Sequence, residues 1–254
     1  YDMFILEDDG RVDEQIFNEY TSLNLRYPPR FTQVGNNRDA LAELKQNHYE
    51  LIICMPNMDS SDTFDLAKQI KVHYSDIPVV LLTPFSKAVT QSLSREDLSG
   101  IDYVFSWLGD TDLLLAIIKV VEDRMNVEHD VKTVGVQTIM LVEDSVRFYS
   151  SALPLLYKFV LSESKEFSKE ALNDHLRMLR MRGRPKILLA RNYEEAVSYY
   201  RKYGDNMLGV ISDMSFNVKG EKDKQAGKRL GEWIREKDTY IPIIYTSSES
   251  ENRK

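Results

Sequence analysis

Asp213 closes the run Leu208-Gly209-Val210-Ile211-Ser212-Asp213-Met214-Ser215, in which apolar and small residues lead into a single carboxylate. Such a run reads as a strand buried on both faces. An acid at the carboxyl end of a parallel strand points into the crevice where α/β sheets bind ligands. Two further apolar runs end in polar groups. Ile139-Met140-Leu141-Val142 leads into Glu143 and Asp144, and Ile241-Pro242-Ile243-Ile244-Tyr245 leads into Thr246, Ser247 and Ser248. An acid pair, a lone Asp and a hydroxyl delivered to one sheet edge fit the phosphorylation of an aspartate assisted by Mg²⁺. The hard cation takes oxygen ligands and offsets the repulsion between a carboxylate nucleophile and an anionic phosphoryl group.

Each residue also has a purely structural use. Asp213 can cap a turn, Glu143 and Asp144 can complement the dipole of a following helix, and Ser247 can serve as an N-cap. His48, His73, His129 and His175 are scattered without metal-ligand spacing.

The elements that must position these groups repeat one plan. In the first half, strands are expected at Met3 to Leu6, Phe31 to Val34, Leu51 to Met55, Ile77 to Leu82 and Ile101 to Phe105. Helices are expected from about Val12 to Leu23, Arg38 to Gln46, Thr63 to His73, and from an Asp110 N-cap to about Met125. Residues 126–137 lack a clear period and read as a linker. The second half begins with the Ile139 strand. A helix from Ser145 to Val160 follows, with Pro154 as a kink or break, and a second helical stretch runs from Glu166 to Met181. Then come a Lys186 to Ala190 strand, a helix from Tyr193 to Tyr203 behind the capping pair Asn192 and Glu195, the Asp213 strand, a helix through Leu230, Trp233 and Ile234, and the Ile241 strand. Ile77-Pro78-Val79-Val80-Leu81-Leu82-Thr83 reappears as Ile241-Pro242-Ile243-Ile244-Tyr245-Thr246-Ser247, and Leu6-Glu7-Asp8 as Val142-Glu143-Asp144. The polar loop from Asn217 to Lys224 has no counterpart in the first half. Strands alternating with helices imply parallel sheets covered on both faces.

Val142-Glu143-Asp144-Ser145, Val210-Ile211-Ser212-Asp213 and Pro242-Ile243-Ile244-Tyr245-Thr246-Ser247 resemble the response-regulator receiver domain, in two tandem copies. The resemblance implies two flavodoxin-like, doubly wound α/β domains at residues 1–125 and 138–254, with strand order 2-1-3-4-5. It implies Asp213 as phosphoacceptor, and Mg²⁺ on Glu143, Asp144, Asp213 and the Ser215 carbonyl. Ser247, with Thr246 one place off register, would be the switch hydroxyl. A histidine kinase or phosphotransfer protein would be the donor. The family's fifth-strand Lys would lie beyond Lys254, so the second copy lacks its terminal strand here. The first copy departs from the pattern: Met55 holds the acceptor position and Ser106 the place of the Lys, although Glu7, Asp8 and Thr83 remain. Phe4-Ile5-Leu6-Glu7-Asp8-Asp9-Gly10, Asn24-Leu25-Arg26-Tyr27-Pro28-Pro29-Arg30-Phe31 and Arg182-Gly183-Arg184-Pro185 resemble the receiver region that precedes phosphoenolpyruvate synthase-like enzymes. A C-terminal enzyme domain of a longer parent chain is thereby implied as partner.

The alternative expectation is a structural pseudo-receiver pair serving dimerisation or packing, without phosphotransfer. A hydrolase of the haloacid dehalogenase type fits poorly, because Ser215 stands where that chemistry wants a second Asp. The chain has 254 residues, net charge −7, 43% hydrophobic residues and one cysteine, Cys54. These values suit a cytoplasmic two-domain protein and argue against a nucleic-acid surface, a disulfide framework or a membrane span. The apolar helix Leu113 to Val121 reads as core or as cover for a neighbour. The basic run Arg177, Arg180, Arg182 and Arg184 reads as a solvated helix end or a docking patch for an acidic partner.

Overall fold

A computed structural model describes residues 12–23, 25, 27–56, 62–84, 96–107, 109, 111–169 and 183–247. The chain is α/β and divides into two compact units, Tyr1–Ile118 and Lys119–Lys254.

In the first unit, helices α1 (Val12–Ser22) and α2 (Asn37–Gln46) precede strand β1 (Ile52–Cys54), helix α3 (Asp62–His73) and strands β2 (Val79–Pro84) and β3 (Tyr103–Trp107). The strands form a parallel sheet in the order β1-β2-β3. Its core gathers Leu44, Phe64, Leu66, Ala67, Ile70, Val79 and Leu81 around Cys54. Burial pushes the Cys54 thiol up to about 11, which keeps it protonated and unreactive. The strand expected at Phe31 to Val34 does not form. That segment is irregular, and Phe31 and Val34 are exposed; it follows Pro28 and Pro29, whose missing amide donors disfavour strand pairing. The Met3 to Leu6 strand, Glu7, Asp8 and the Asp110 cap lie outside the described residues.

Helix α4 (Asp112–Val134) begins in the first unit and continues into the second. Part of the stretch expected as linker is therefore helical: Val127 and Val131 are buried and pack with Leu188 and Tyr203. The missed signal was this wide i, i+4 pair among charged neighbours. Leu113 to Ile118, Val120 and Val121 are all buried.

The second unit continues with β4 (Thr138–Val142), α5 (Val146–Lys169), β5 (Lys186–Ala190), α6 (Tyr193–Tyr203), β6 (Met207–Asp213), β7 (Phe216–Val218), β8 (Glu221–Asp223), α7 (Ala226–Arg235) and β9 (Ile243–Thr246). Four of its strands form a parallel sheet in the order β5-β4-β6-β9. The chain steps from β4 outward to β5, then crosses back to β6 on the other side. The carboxyl ends of β4 and β6 thus flank the point where strand order reverses, the usual ligand crevice of open α/β sheets. Met140, Val142, Ala190 and Val210 meet Ala196, Tyr200, Leu230 and Ile234 of α6 and α7 in one core. Strand alternation turns Leu141, Ile187 and Leu189, also buried, to the opposite face.

Helix α5 passes through Pro154 without ending. A helix-interior proline costs about 3 kcal/mol. The stripe Tyr149, Leu153, Tyr157, Val160, Leu161 is buried at helical spacing, and at about 1.5–3 kcal/mol per large apolar side chain it outweighs that cost. Asn192 caps α6 as its sequence implies, accepting from the Glu195 amide at 2.8 Å. The Glu195 carboxylate reaches back one residue further than a capping box would, to the Arg191 amide at 2.8 Å.

Of the basic run, only Arg184 lies within the described residues, and it is neither solvated nor a docking group. Its guanidinium binds both oxygens of the wholly buried Asp123 on α4, at 2.7 and 3.0 Å. Asp123 also accepts from the Tyr157 hydroxyl at 3.0 Å and the Ile187 amide at 2.9 Å. One carboxylate thereby ties α4, α5 and the start of β5.

Candidate metal centre

Glu143, Asp144 and Asp213 bring carboxylate oxygens within 4.8 Å of one another. The arrangement follows from the sheet. Ile139 to Val142 pair with β6 on one side and β5 on the other, and the Glu143 amide extends the β5 ladder by donating to the Ala190 carbonyl at 2.9 Å. β4 and β6 therefore end side by side, each with an acid at its tip. Oxygens at roughly 2.0–2.1 Å from a Mg²⁺ lie at most about 4.2 Å apart, so a small contraction of side-chain torsions would let all three share one ion.

The carboxylates differ in setting. Glu143 is 8% exposed. Loss of solvent pushes its carboxyl up to about 7; the Ser145 amide, donating at 2.9 Å, opposes this, while the neighbouring charges of Asp213 and Asp144 add to it. Asp213 is half-buried, and burial raises its carboxyl above the ordinary value against the amides of Met214 and Ser215. The Ser215 amide lies 3.3 Å from an Asp213 carboxylate oxygen. Carboxylates crowded together where burial weakens solvation favour a neutralising cation.

Lys222, which sequence reasoning passed over, already supplies one positive charge. Its ammonium lies 2.8 and 2.9 Å from the two carboxylate oxygens of Asp144. The residue comes from the polar stretch read as a loop, which folds into the antiparallel hairpin β7–β8. Lys219 (φ 53) and Gly220 (φ 86) form its turn. Two consecutive left-handed residues make the twist of a tight hairpin, and the Lys-Gly pair was the available signal.

The remaining expected residues are distributed unevenly. Thr246 pairs in register with Asp213, and its carbonyl accepts from the Met214 amide at 3.0 Å. Thr246 is exposed, whereas Ser247, just past the strand, is half-buried. In the first unit Met55 follows β1, and the buried Thr83 hydroxyl donates to the Phe105 carbonyl at 3.2 Å. Among the described residues no other group of three or more His, Cys, Asp or Glu side chains gathers ligand atoms in this way. Among the described residues no helix is long and apolar enough to cross a membrane.

No family model matches the sequence, and no curated protein matches it.

Proposed function

We propose that the second unit is a receiver-type signalling module, flavodoxin-like in plan, in which Asp213 accepts a phosphoryl group in the presence of Mg²⁺. One observation carries the reading: three carboxylates from the ends of adjacent parallel strands gather at the point where strand order reverses. Glu143, Asp144 and Asp213 would hold the ion, with the Ser215 carbonyl as a further oxygen. When bound, the ion neutralises charge on the transferred oxygens. An Asp213 oxygen attacks phosphorus as the donor's own phosphorus–leaving-group bond breaks, giving an acyl phosphate; the leaving group departs with the bonding pair. The strand register beside Asp213 favours a hydroxyl of the β9 terminus as the group that senses the new phosphate. Ser247 suits this better than the exposed Thr246. The donor would be a histidine kinase or phosphotransfer protein, and the output a phosphoenolpyruvate synthase-like domain of a cytoplasmic parent chain.

Incubation with Mg²⁺ and a small phosphodonor tests this reading by intact mass. The wild type gains one phosphoryl group and Asp213→Asn gains none; an unmodified wild type refutes it.

A second reading, a structural pair without phosphotransfer, draws on Met55 at the acceptor position of the first unit. It predicts no change in Trp233 fluorescence or melting temperature at millimolar Mg²⁺.

A further inference from the structure

The ion pair between Lys222 and Asp144 joins the β7–β8 hairpin to the turn after β4. The ammonium bridges both oxygens of Asp144 and already offsets the charge that would draw a divalent ion. Glu143 and Asp213 add negative charge beside it. Two cations drawn to one largely buried carboxylate repel strongly where solvent screening is weak. The Lys222 side chain is 52% exposed, and its flexible stem can carry the charge out to water.

The two strands of the hairpin differ in burial. Phe216, at its base, is wholly buried in the core with Ala226 and Leu230. Glu221 and Lys222, on the returning strand, are exposed. The tip is held by the Lys219 amide donating to the Glu194 carboxylate at 3.1 Å, and the far end by Arg229 paired with Asp223. Between those two ends, the bond to Asp144 links the returning strand to the acid site.

We propose that Lys222 is an internal cation that holds the site in its metal-free form and is expelled when a divalent ion binds, so that the ion's arrival loosens the β7–β8 hairpin. The proposal rests on the metal reading given above and adds its regulation. A metal-induced signal then leaves the site through the hairpin before any phosphate has been transferred.

Titration of Mg²⁺ alone into the 254-residue chain, followed by calorimetry and by hydrogen exchange of the hairpin amides, tests it. Lys222→Gln binds about tenfold tighter than wild type, within the usual range of site-to-site coupling, and Lys222→Arg binds like wild type. Mg²⁺ speeds exchange of the wild-type hairpin amides and leaves those of Lys222→Gln unchanged. Equal or weaker binding by Lys222→Gln overturns the inference alone. Absence of binding by both proteins overturns the metal reading together with it.

Discussion

A Cβ built on Gly227 would overlap the carbonyl oxygen of Asp213. The first turn of α7 thus lies directly against the end of β6, and the Gly227 amide donates to the Met214 carbonyl at 3.1 Å. Because the obstacle is backbone, neither side can swing aside. Gly227→Ala is expected to destabilise the chain by about 2–4 kcal/mol and to weaken Mg²⁺ binding by moving Asp213. Gly231→Ala is the control. Its Cβ would meet the Tyr245 hydroxyl and the ring edge behind it, the far end of a side chain 46% exposed. That side chain can swing away about χ1, and a buried helix-interior glycine replaced by alanine gains up to about 1 kcal/mol. Paired urea melts and metal titrations check both; equal losses in the two variants would contradict the distinction.

Removing Asp123 leaves Arg184 buried without its carboxylate, whereas Lys186, 3.7 Å away, keeps Asp130 at 2.8 Å. Asp123→Ala should cost about 3–5 kcal/mol, measured by denaturant unfolding, although it lies outside the acid cluster. A loss below about 1 kcal/mol would mean that the buried guanidinium finds another partner.

Glu143 gives stability a pH dependence of definite sign. Its folded-state value of about 7 stands above the ordinary glutamate value of 4.5, so the folded chain holds this proton more tightly than the unfolded one. The stabilising contribution is complete below about pH 4.5 and is lost as pH rises through about 7. Asp213, also raised, acts in the same direction. In chelator, the wild type should lose up to about 3 kcal/mol relative to Glu143→Gln across that window. Melting temperatures taken from pH 4.5 to 8 decide the matter, and parallel profiles for the two proteins would remove Glu143 as the cause.

Lys219 adopts a left-handed conformation (φ 53) that a side chain resists. Lys219→Gly should relieve that strain and stabilise the hairpin by up to about 1 kcal/mol while leaving the Lys222–Asp144 pair intact. Slower hydrogen exchange between Phe216 and Asp223 is the readout.

The parts of the second unit that could be read in advance are those where one physical rule governs a short stretch. Apolar runs ended by acids fixed β4 and β6, and Asn192 with Glu195 located the start of α6. The acids meet because parallel pairing aligns strand ends, which follows from the pattern. Longer-range relationships were not legible. Lys222 reaches Asp144 only once Lys219 and Gly220 reverse the chain, and its polar neighbours carry no alternation to announce a strand. Arg184 sat in a basic run whose solvated reading was reasonable, and its partner Asp123 belongs to a helix far away in sequence. Pro154 argued for a break, yet the buried stripe on either side of it outweighed the local penalty.

Among the described residues, strand β9 stands at one margin of the four-stranded order and is paired there with β6. Ile244 is 59% and Tyr245 46% exposed. An outer strand with apolar side chains in water is a template for adding another strand from a neighbouring molecule. The purified chain should accordingly cluster as it is concentrated, and a lysine at Ile244 should raise its solubility limit.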